Sequence, residues 1–324
     1  MWSFARRRLV DALLVTWTVG TLVFVLLHLA PGDPVTAVLT NPRVSPAVRA
    51  QQRAMYGLDR PIGEQYLRHL RALGRGELGY SFSRQRPVRA VLMETVPYSM
   101  LLIGGALGAA VLLGVVIGAW QAVHAERRRD VLTSAVTAGI GAVPEVWLAT
   151  LLQGALAMEL TLFPLAGACA PRSCGTLTGW RAALDVAHHA ALPVLTLALL
   201  FGALLSRLQR AALRAVLIDP AVGAARAKGA TPRRVLFRHA LPRALRPTLT
   251  AVALSLPALV GGAVFVEAVF AWPGMGSVMV QAIAVRDYPL VTAVAMVGSL
   301  LVVVGTTCAE LATAWLDPRL ASTA

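Results

Sequence analysis

The sequence predicts an all-α integral membrane protein of six membrane-spanning helices, with a cytosolic loop between the fourth and fifth. Three observations carry that prediction. Of the 324 residues, 57% are hydrophobic and only 14% charged, whereas an average soluble domain carries about 25% charged residues. The apolar residues gather into six runs, most of them long enough to cross a bilayer. The arginines lie mainly between those runs, so the formal net charge of +14 belongs to topology and partner surfaces. No aromatic-studded basic groove accompanies the charge, which points to membrane lipid as a partner and excludes nucleic acid.

The first run, 9–30, follows a basic start and is broken only by Asp11 and His28 near its ends. It is longer than a signal-peptide core, and no small-x-small cleavage site precedes Pro31, so an uncleaved helix is expected. Residues 31–97 form the largest polar segment, opening with Pro31-Gly32-Asp33-Pro34. Within it Tyr66, Leu67, Leu70 and Leu73 fall on one helical face and Glu64, Arg68 and Arg71 on another. This spacing predicts an amphipathic helix on the membrane surface or against the bundle.

The remaining runs are 98–123, 131–158, 190–205, 248–271 and 290–315. The fourth span is short, and its helix is expected to continue through 206–217, where Arg207, Arg210 and Arg214 make a basic stripe. In the second span Gly104 and Gly108, then Gly114 and Gly118, keep the four-residue spacing that lets helices approach closely. No internal repeat or low-complexity linker appears. The chain divides into 1–97, a first helix with a large extracytoplasmic segment, and 98–324, a five-helix core carrying a loop at about 206–247.

Loop charge sets the orientation. With the N-terminus inside, the inner segments carry seventeen basic residues and the outer segments thirteen, ten of them in the long first outer loop, which counts weakly. Both termini and the 206–247 loop are therefore expected in the cytosol. Cys169 and Cys174 then fall in an outer loop, where a disulfide can form. Cys308, inside the last run, reads as a small core residue.

Ionisable groups within spans are costly and informative. Glu145 sits near the middle of the third span, in Val143-Pro144-Glu145-Val146-Trp147, and reads either as a group on a translocation path or as one paired inside the bundle. Glu267 lies near the outer end of the fifth span, and Gly261-Gly262 with Pro257 place a bend or gate before it. Other chemistries are missing. The only lysine, Lys228, follows Ala227 where a P-loop needs Gly. Gly79-Tyr80-Ser81 lacks the second glycine of a nucleophile elbow. No His-Glu-x-x-His occurs, and the adjacent His188 and His189 point about 100° apart on a helix, so no metal is expected. Enzyme chemistry in this chain, and a cofactor bound by it, are excluded on these grounds.

The loop itself carries the clearest local signals. Asp219 suits a helix N-cap, Pro220 the first helical position, and Gly229 the left-handed residue that closes a helix, giving a rod of about nine residues. Thr231-Pro232 repeats the start signal, and a second short helix is expected to end where Pro242 removes a backbone donor. A helix so short needs a larger support. Ala221, Gly223, Ala224, Ala225 and Ala227 give it a small-residue face that another surface can approach.

This stretch resembles the loop shared by the membrane subunits of bacterial ATP-binding-cassette importers. Ala224, Ala225, Gly229, Leu241 and Pro242 match the family pattern, while Gly223 stands at its Glu position and His239 at its Ile position. Arg226-Ala227-Lys228-Gly229, Tyr56-Gly57-Leu58-Asp59-Arg60-Pro61 and Gly79-Tyr80-Ser81 are similar to the dipeptide, oligopeptide and nickel permease branch. So are Phe270-Ala271-Trp272-Pro273-Gly274-Met275-Gly276, Arg286-Asp287-Tyr288-Pro289 and Asp317-Pro318-Arg319. The resemblance implies a six-helix permease subunit in the bacterial inner membrane, paired with a second permease. It implies two ATPase subunits binding ATP and Mg²⁺, and an extracellular solute-binding protein that delivers di- or oligopeptides, or else nickel or another small solute. The rod of Ala224, Ala225, Arg226 and Lys228 becomes a coupling helix seated in an ATPase. A proton-driven secondary transporter with Glu145 as its carrier group is the alternative, and the absence of repeats or paired broken helices speaks against it.

Overall fold

The structure is a computed structural model that describes residues 2–29, 54, 59–170, 174–176 and 178–316. Residues 31–34, 56–58, 172 and 317–319, to which the sequence reading assigned motifs or charges, lie outside the described residues. Among the described residues the regular secondary structure is helical apart from one two-residue strand pair, β1 (Tyr80–Ser81) against β2 (Arg86–Pro87). The helices are α1 (Trp2–Leu29), α2 (Ile62–Gly74), α3 (Val88–Val123), α4 (Arg128–Ala142), α5 (Glu145–Leu152), α6 (Trp180–Leu217) and α7 (Pro220–Ala227). They continue with α8 (Pro232–Arg234), α9 (Leu241–Val269), α10 (Met275–Ala284) and α11 (Tyr288–Leu316). Two π-helical turns, Gln153–Glu159 and Val235–Ala240, extend α5 and join α8 to α9.

Among the described residues five helices are long and apolar enough to cross a membrane, and a bent pair, α4 with α5 and its π turn, makes a sixth if counted as one span. The third span is therefore not continuous. The chain turns through 106° between Ala142 and Glu145, because Pro144 lacks an N–H and disfavours helical backbone in the residue before it. Val143 and Pro144 accordingly take ψ of 132° and 141°. The fifth span also departs from expectation. Pro242 does not end a helix but occupies the first turn of α9, where a missing donor is tolerated, and the π turn brings the chain up to it. Helix α6 runs for 38 residues, about 57 Å, and carries the basic stripe beyond the apolar span. The ten-residue α10 was not anticipated.

Two compact units divide the chain, one of residues 1–99 with 273–301, the other of 100–272 with 302–324. The first break between these units lies within α3, and 273–301 belongs to the unit that holds α1 and α2. That unit buries Val88, Val91 and Leu92 of α3 against Met275 and Val278 of α10 and Leu290 and Val294 of α11. Helix α2 lies on α1 there: Tyr66 Oη is 2.9 Å from Thr21 Oγ1, and the His69 ring stacks on Phe24 with centroids 5.7 Å apart. The second unit closes around α6 and α9, with Ala122, Leu213, Ala240 and Ala244 in one buried cluster.

Within the second unit the two glycine pairs of α3 behave differently. A Cβ on Gly114 would stand 2.5 Å from Leu205 Cβ and one on Gly118 2.5 Å from Ser206 O, so α3 and α6 meet there with no room for a side chain. Gly104 and Gly108 have nothing within 4 Å.

Candidate functional site

Local chemistry builds the rod. Asp219 Oδ1 accepts the Ala221 N–H at 2.7 Å, and Pro220 occupies the first turn of α7. At the other end Gly229 takes φ +80°. Its N–H donates to Arg226 O at 2.9 Å, and the Ala230 N–H donates to Ala225 O at 3.2 Å, a complete Schellman closure. Thr231 Oγ1 then accepts the Arg234 N–H at 3.4 Å and starts α8. Only Ile218 and Asp219 separate α7 from α6, and only residues 228–231 separate it from α8.

The rod buries little of itself. Val222 is 1% exposed, while Ala221, Gly223, Ala224, Arg226 and Ala227 are exposed, Ala225 is half-buried, and Lys228 and Gly229 are exposed beyond the end. Ile218 and Phe237, on either side of it in sequence, are 85% and 65% exposed. The predicted coupling residues thus fall in two places. Ala224, Ala225, Arg226, Lys228 and Gly229 make the rod and its cap, while Leu241, half-buried, and Pro242, exposed, begin α9.

Polar pairs that the sequence reading missed hold α6 in place. Arg210 donates from Nε to Asp130 Oδ1 at 2.8 Å and from Nη2 to Oδ2 at 2.6 Å. Asp130, 1% exposed, also accepts the Glu126 N–H at 3.0 Å and the Ser134 hydroxyl at 3.3 Å. Arg214 pairs with Glu126 at 2.8 Å, and the Thr248 hydroxyl donates to Gln209 Oε1 at 2.6 Å. The basic stripe is therefore not one surface: among the described residues Arg210 and Arg214 have ion-pair partners and Arg207 has none. The ties join residues 80 and 88 apart, so no local spacing announces them. A lone acid after three arginines, Asp130, was the available signal.

Two of the predicted pathway residues come together. The Glu145 carboxylate lies on Gly262, where an added Cβ would stand 2.6 Å from Oε2. Glu145 also lines a cavity of about 500 Å³ with Pro144, Phe201, Leu204, Arg207 and Phe265. Gly261 is exposed and Glu267 is 1% exposed, and neither lines that cavity. Cys169 and Cys174 are joined by a disulfide with their Cα atoms 5.4 Å apart.

In the N-terminal unit, two motif segments distant in sequence converge on one carboxylate. Asp287 Oδ2 accepts the Ser81 hydroxyl at 2.5 Å, the Ser83 N–H at 2.9 Å and the Ser83 hydroxyl at 2.7 Å. Gly79, at φ +80°, lets β1 pass beside Pro289, whose Cβ would stand 3.5 Å from a Cβ on it. A smaller cavity of about 260 Å³ nearby is lined by His28, Gln65, Arg68, His69 and Tyr288. His28 Nε2 is 3.1 Å from Gln65 Oε1, and burial together with His28 pushes the His69 imidazole below its usual range.

Comparison with known proteins places this architecture. Residues 89–322 match the profile of the binding-protein-dependent transport system inner membrane component family, and 1–103 match the N-terminal profile that accompanies it. The chain belongs to that family. This inner membrane component is 34% identical to the oligopeptide transport system permease protein AppB of Bacillus subtilis (strain 168), over 99% of each chain. It is 35% identical to the oligopeptide transport system permease protein OppB of Mycobacterium bovis (strain ATCC BAA-935 / AF2122/97), over 98% of this chain and 99% of that one. Among solved structures, an inward-facing MetNI methionine ABC transporter chain superposes with a TM-score of 0.52 at 18% identity, covering 70% of this chain and 96% of that one. That likeness concerns the fold alone.

Proposed function

We propose that this inner membrane component is one permease subunit of an ATP-driven importer, and that the importer carries peptides handed over by an extracellular solute-binding protein. The observation that carries the proposal is α7, an eight-residue helix closed at both ends that buries Val222 and presents nearly everything else. Such a helix does not persist on its own strength; its exposed small residues, with Ile218 and Phe237 beside them, suit the groove of a larger partner. The partner is an ATPase subunit in the cytosol, and the loop charge supports a cytosolic side for both termini and this segment. ATP and Mg²⁺ belong to two such ATPases, since this chain has no P-loop, and a second permease completes the pathway. Peptide cargo follows from the permeases to which the chain is similar in sequence.

Closure of the ATPases on ATP carries α7 with them. Because two residues join α7 to α6 and four join it to α8, the displacement passes into both long helices and shifts the side to which the pathway opens. The test is Gly229→Val. A β-branched residue at φ +80° is a strained arrangement costing about 1–3 kcal/mol, and it distorts the cap that fixes α7. ATP-dependent uptake of a radiolabelled peptide, and stimulation of ATP hydrolysis by the loaded binding protein, are expected to fall together while the subunit remains inserted. Unchanged coupling, or uptake driven by a pH gradient without ATP, would overturn the proposal.

A further inference from the structure

We infer that the cavity bearing Glu145 and Arg207 is a transient binding site for a zwitterion, with the ammonium end of a short peptide on Glu145 and its carboxylate end on Arg207. The inference rests on the peptide reading above and adds the site and the part of the peptide that it reads. Two opposite charges line one cavity of about 500 Å³ without forming an ion pair with each other. Elsewhere in the same unit such charges close on one another, as Arg210 does on Asp130 and Arg214 on Glu126. Glu145 is half-buried and Arg207 is exposed, so each keeps a charged face open toward the cavity for a ligand carrying the complementary charge.

Small residues create the room. The Glu145 carboxylate rests against Gly262, where any Cβ would stand 2.6 to 2.8 Å from its atoms, and Arg207 Nη2 lies 3.7 Å from where a Cβ on Gly141 would be. A larger residue at position 262 would expel the carboxylate. The remaining wall is mostly apolar, with Phe201, Leu204 and Phe265, so it offers no specific partner to a polar side chain. A site of this kind grips what all unmodified peptides share, their two charged ends, and is indifferent to sequence. The guanidinium plane matches a carboxylate through two parallel hydrogen bonds. The volume lies within the range of roughly 300–1,000 Å³ usual for small-ligand pockets, so a short peptide fits.

The experiment measures equilibrium binding of tritiated trialanine to the full chain in lipid nanodiscs, with unlabelled trialanine, N-acetyl-trialanine and trialanine amide as competitors. Each blocked peptide is expected to compete about tenfold less well, the loss of one charged hydrogen-bonded end. Glu145→Gln is expected to remove the preference for a free amino end and keep that for a free carboxylate; Arg207→Gln is expected to do the reverse. Equal competition by free and blocked peptides overturns the inference, as does the absence of saturable binding. Loss of both preferences in either properly inserted variant overturns it too. The competition on the unaltered chain needs no variant to fold. ATP-dependent trialanine uptake by vesicles holding the assembled importer separates the two readings. If uptake requires this chain but blocked ends bind equally, the site assignment fails and the importer stands; if no peptide uptake depends on the chain, the importer reading itself fails.

Discussion

Gly118→Ala tests how tightly α3 is set against α6. The added Cβ would stand 2.5 Å from Ser206 O, 2.8 Å from Gln209 Cβ and 3.1 Å from Arg210 N, where unstrained carbon contacts lie at about 3.5–4.0 Å. Two of those three atoms are backbone, so no rotamer change relieves the clash and the helices must part by roughly 1 Å. Overpacking of this kind costs about 1–3 kcal/mol, here near the upper end, while alanine in place of glycine in a helix interior returns about 1 kcal/mol. The net loss is about 1–2 kcal/mol. Gly104→Ala is the internal control, because the same helix there has nothing within 4 Å of a new Cβ and the propensity gain of about 1 kcal/mol stands alone. Reversible unfolding of the full chain in mixed micelles titrated with SDS, followed by circular dichroism, should separate the two variants by about 2–3 kcal/mol. If Gly118→Ala is as stable as Gly104→Ala, the close approach of these helices is not as described.

Three further outcomes follow from the polar anchors. Asp287→Ala strands the two serine hydroxyls and the Ser83 amide, should cost about 3 kcal/mol, and should speed limited proteolysis between β1 and β2. Asp130→Asn removes the charge opposite Arg210, whose side chain is 27% exposed; a loss of about 2 kcal/mol, below that of a fully buried pair, is expected, and a cycle with Arg210→Gln should show coupling above about 1 kcal/mol. His69 titrates below its usual range because of burial and, secondarily, His28. The unfolded chain therefore takes up this proton first as pH falls, so stability holds above about 6.5 and declines below it toward the folded value. His69→Gln should flatten that acid limb in unfolding titrations at pH 7.5 and 5.5; an unchanged limb would remove His69 as its source.

What the sequence discloses and what it hides follow the range of the interaction. The caps of α7 were legible because Asp219, Pro220 and Gly229 act within one helical turn. The polar anchors were not, since Arg210 finds Asp130 eighty residues away. Proline alone did not mark the break in the third span either. Pro97, Pro193 and Pro257 all sit inside continuous helices, whereas Pro144 turns the chain. Identical glycine spacings gave different results because spacing does not reveal which way a helix is rotated. The amphipathic α2 is present, with Tyr66, Leu70 and Leu73 of the expected face half-buried and Leu67 52% exposed; the spacing did not reveal that Gln65 and His69 join Tyr66 in the contacts with α1.

The anchors bear on how a movement of α7 would travel. Over residues 205–214, α6 is seated on Gly114 and Gly118 of α3, clamped to α4 through Arg210 and Asp130, and tied to α9 by Gln209 and Thr248. Three neighbours thus grip one stretch of helix that ends just before the two-residue link to α7. A push on α7 cannot be absorbed by bending the last turns of α6 alone, because bending would break charged and buried contacts together, and well-packed contacts shift between discrete arrangements rather than deform continuously. On the proposed coupling, a displacement of α7 would instead move α6 with the helices tied to it. The cavity wall formed by Phe201, Leu204 and Arg207 belongs to the same helix, whereas Glu145 stands on α5, so a shift of α6 would move Arg207 relative to Glu145.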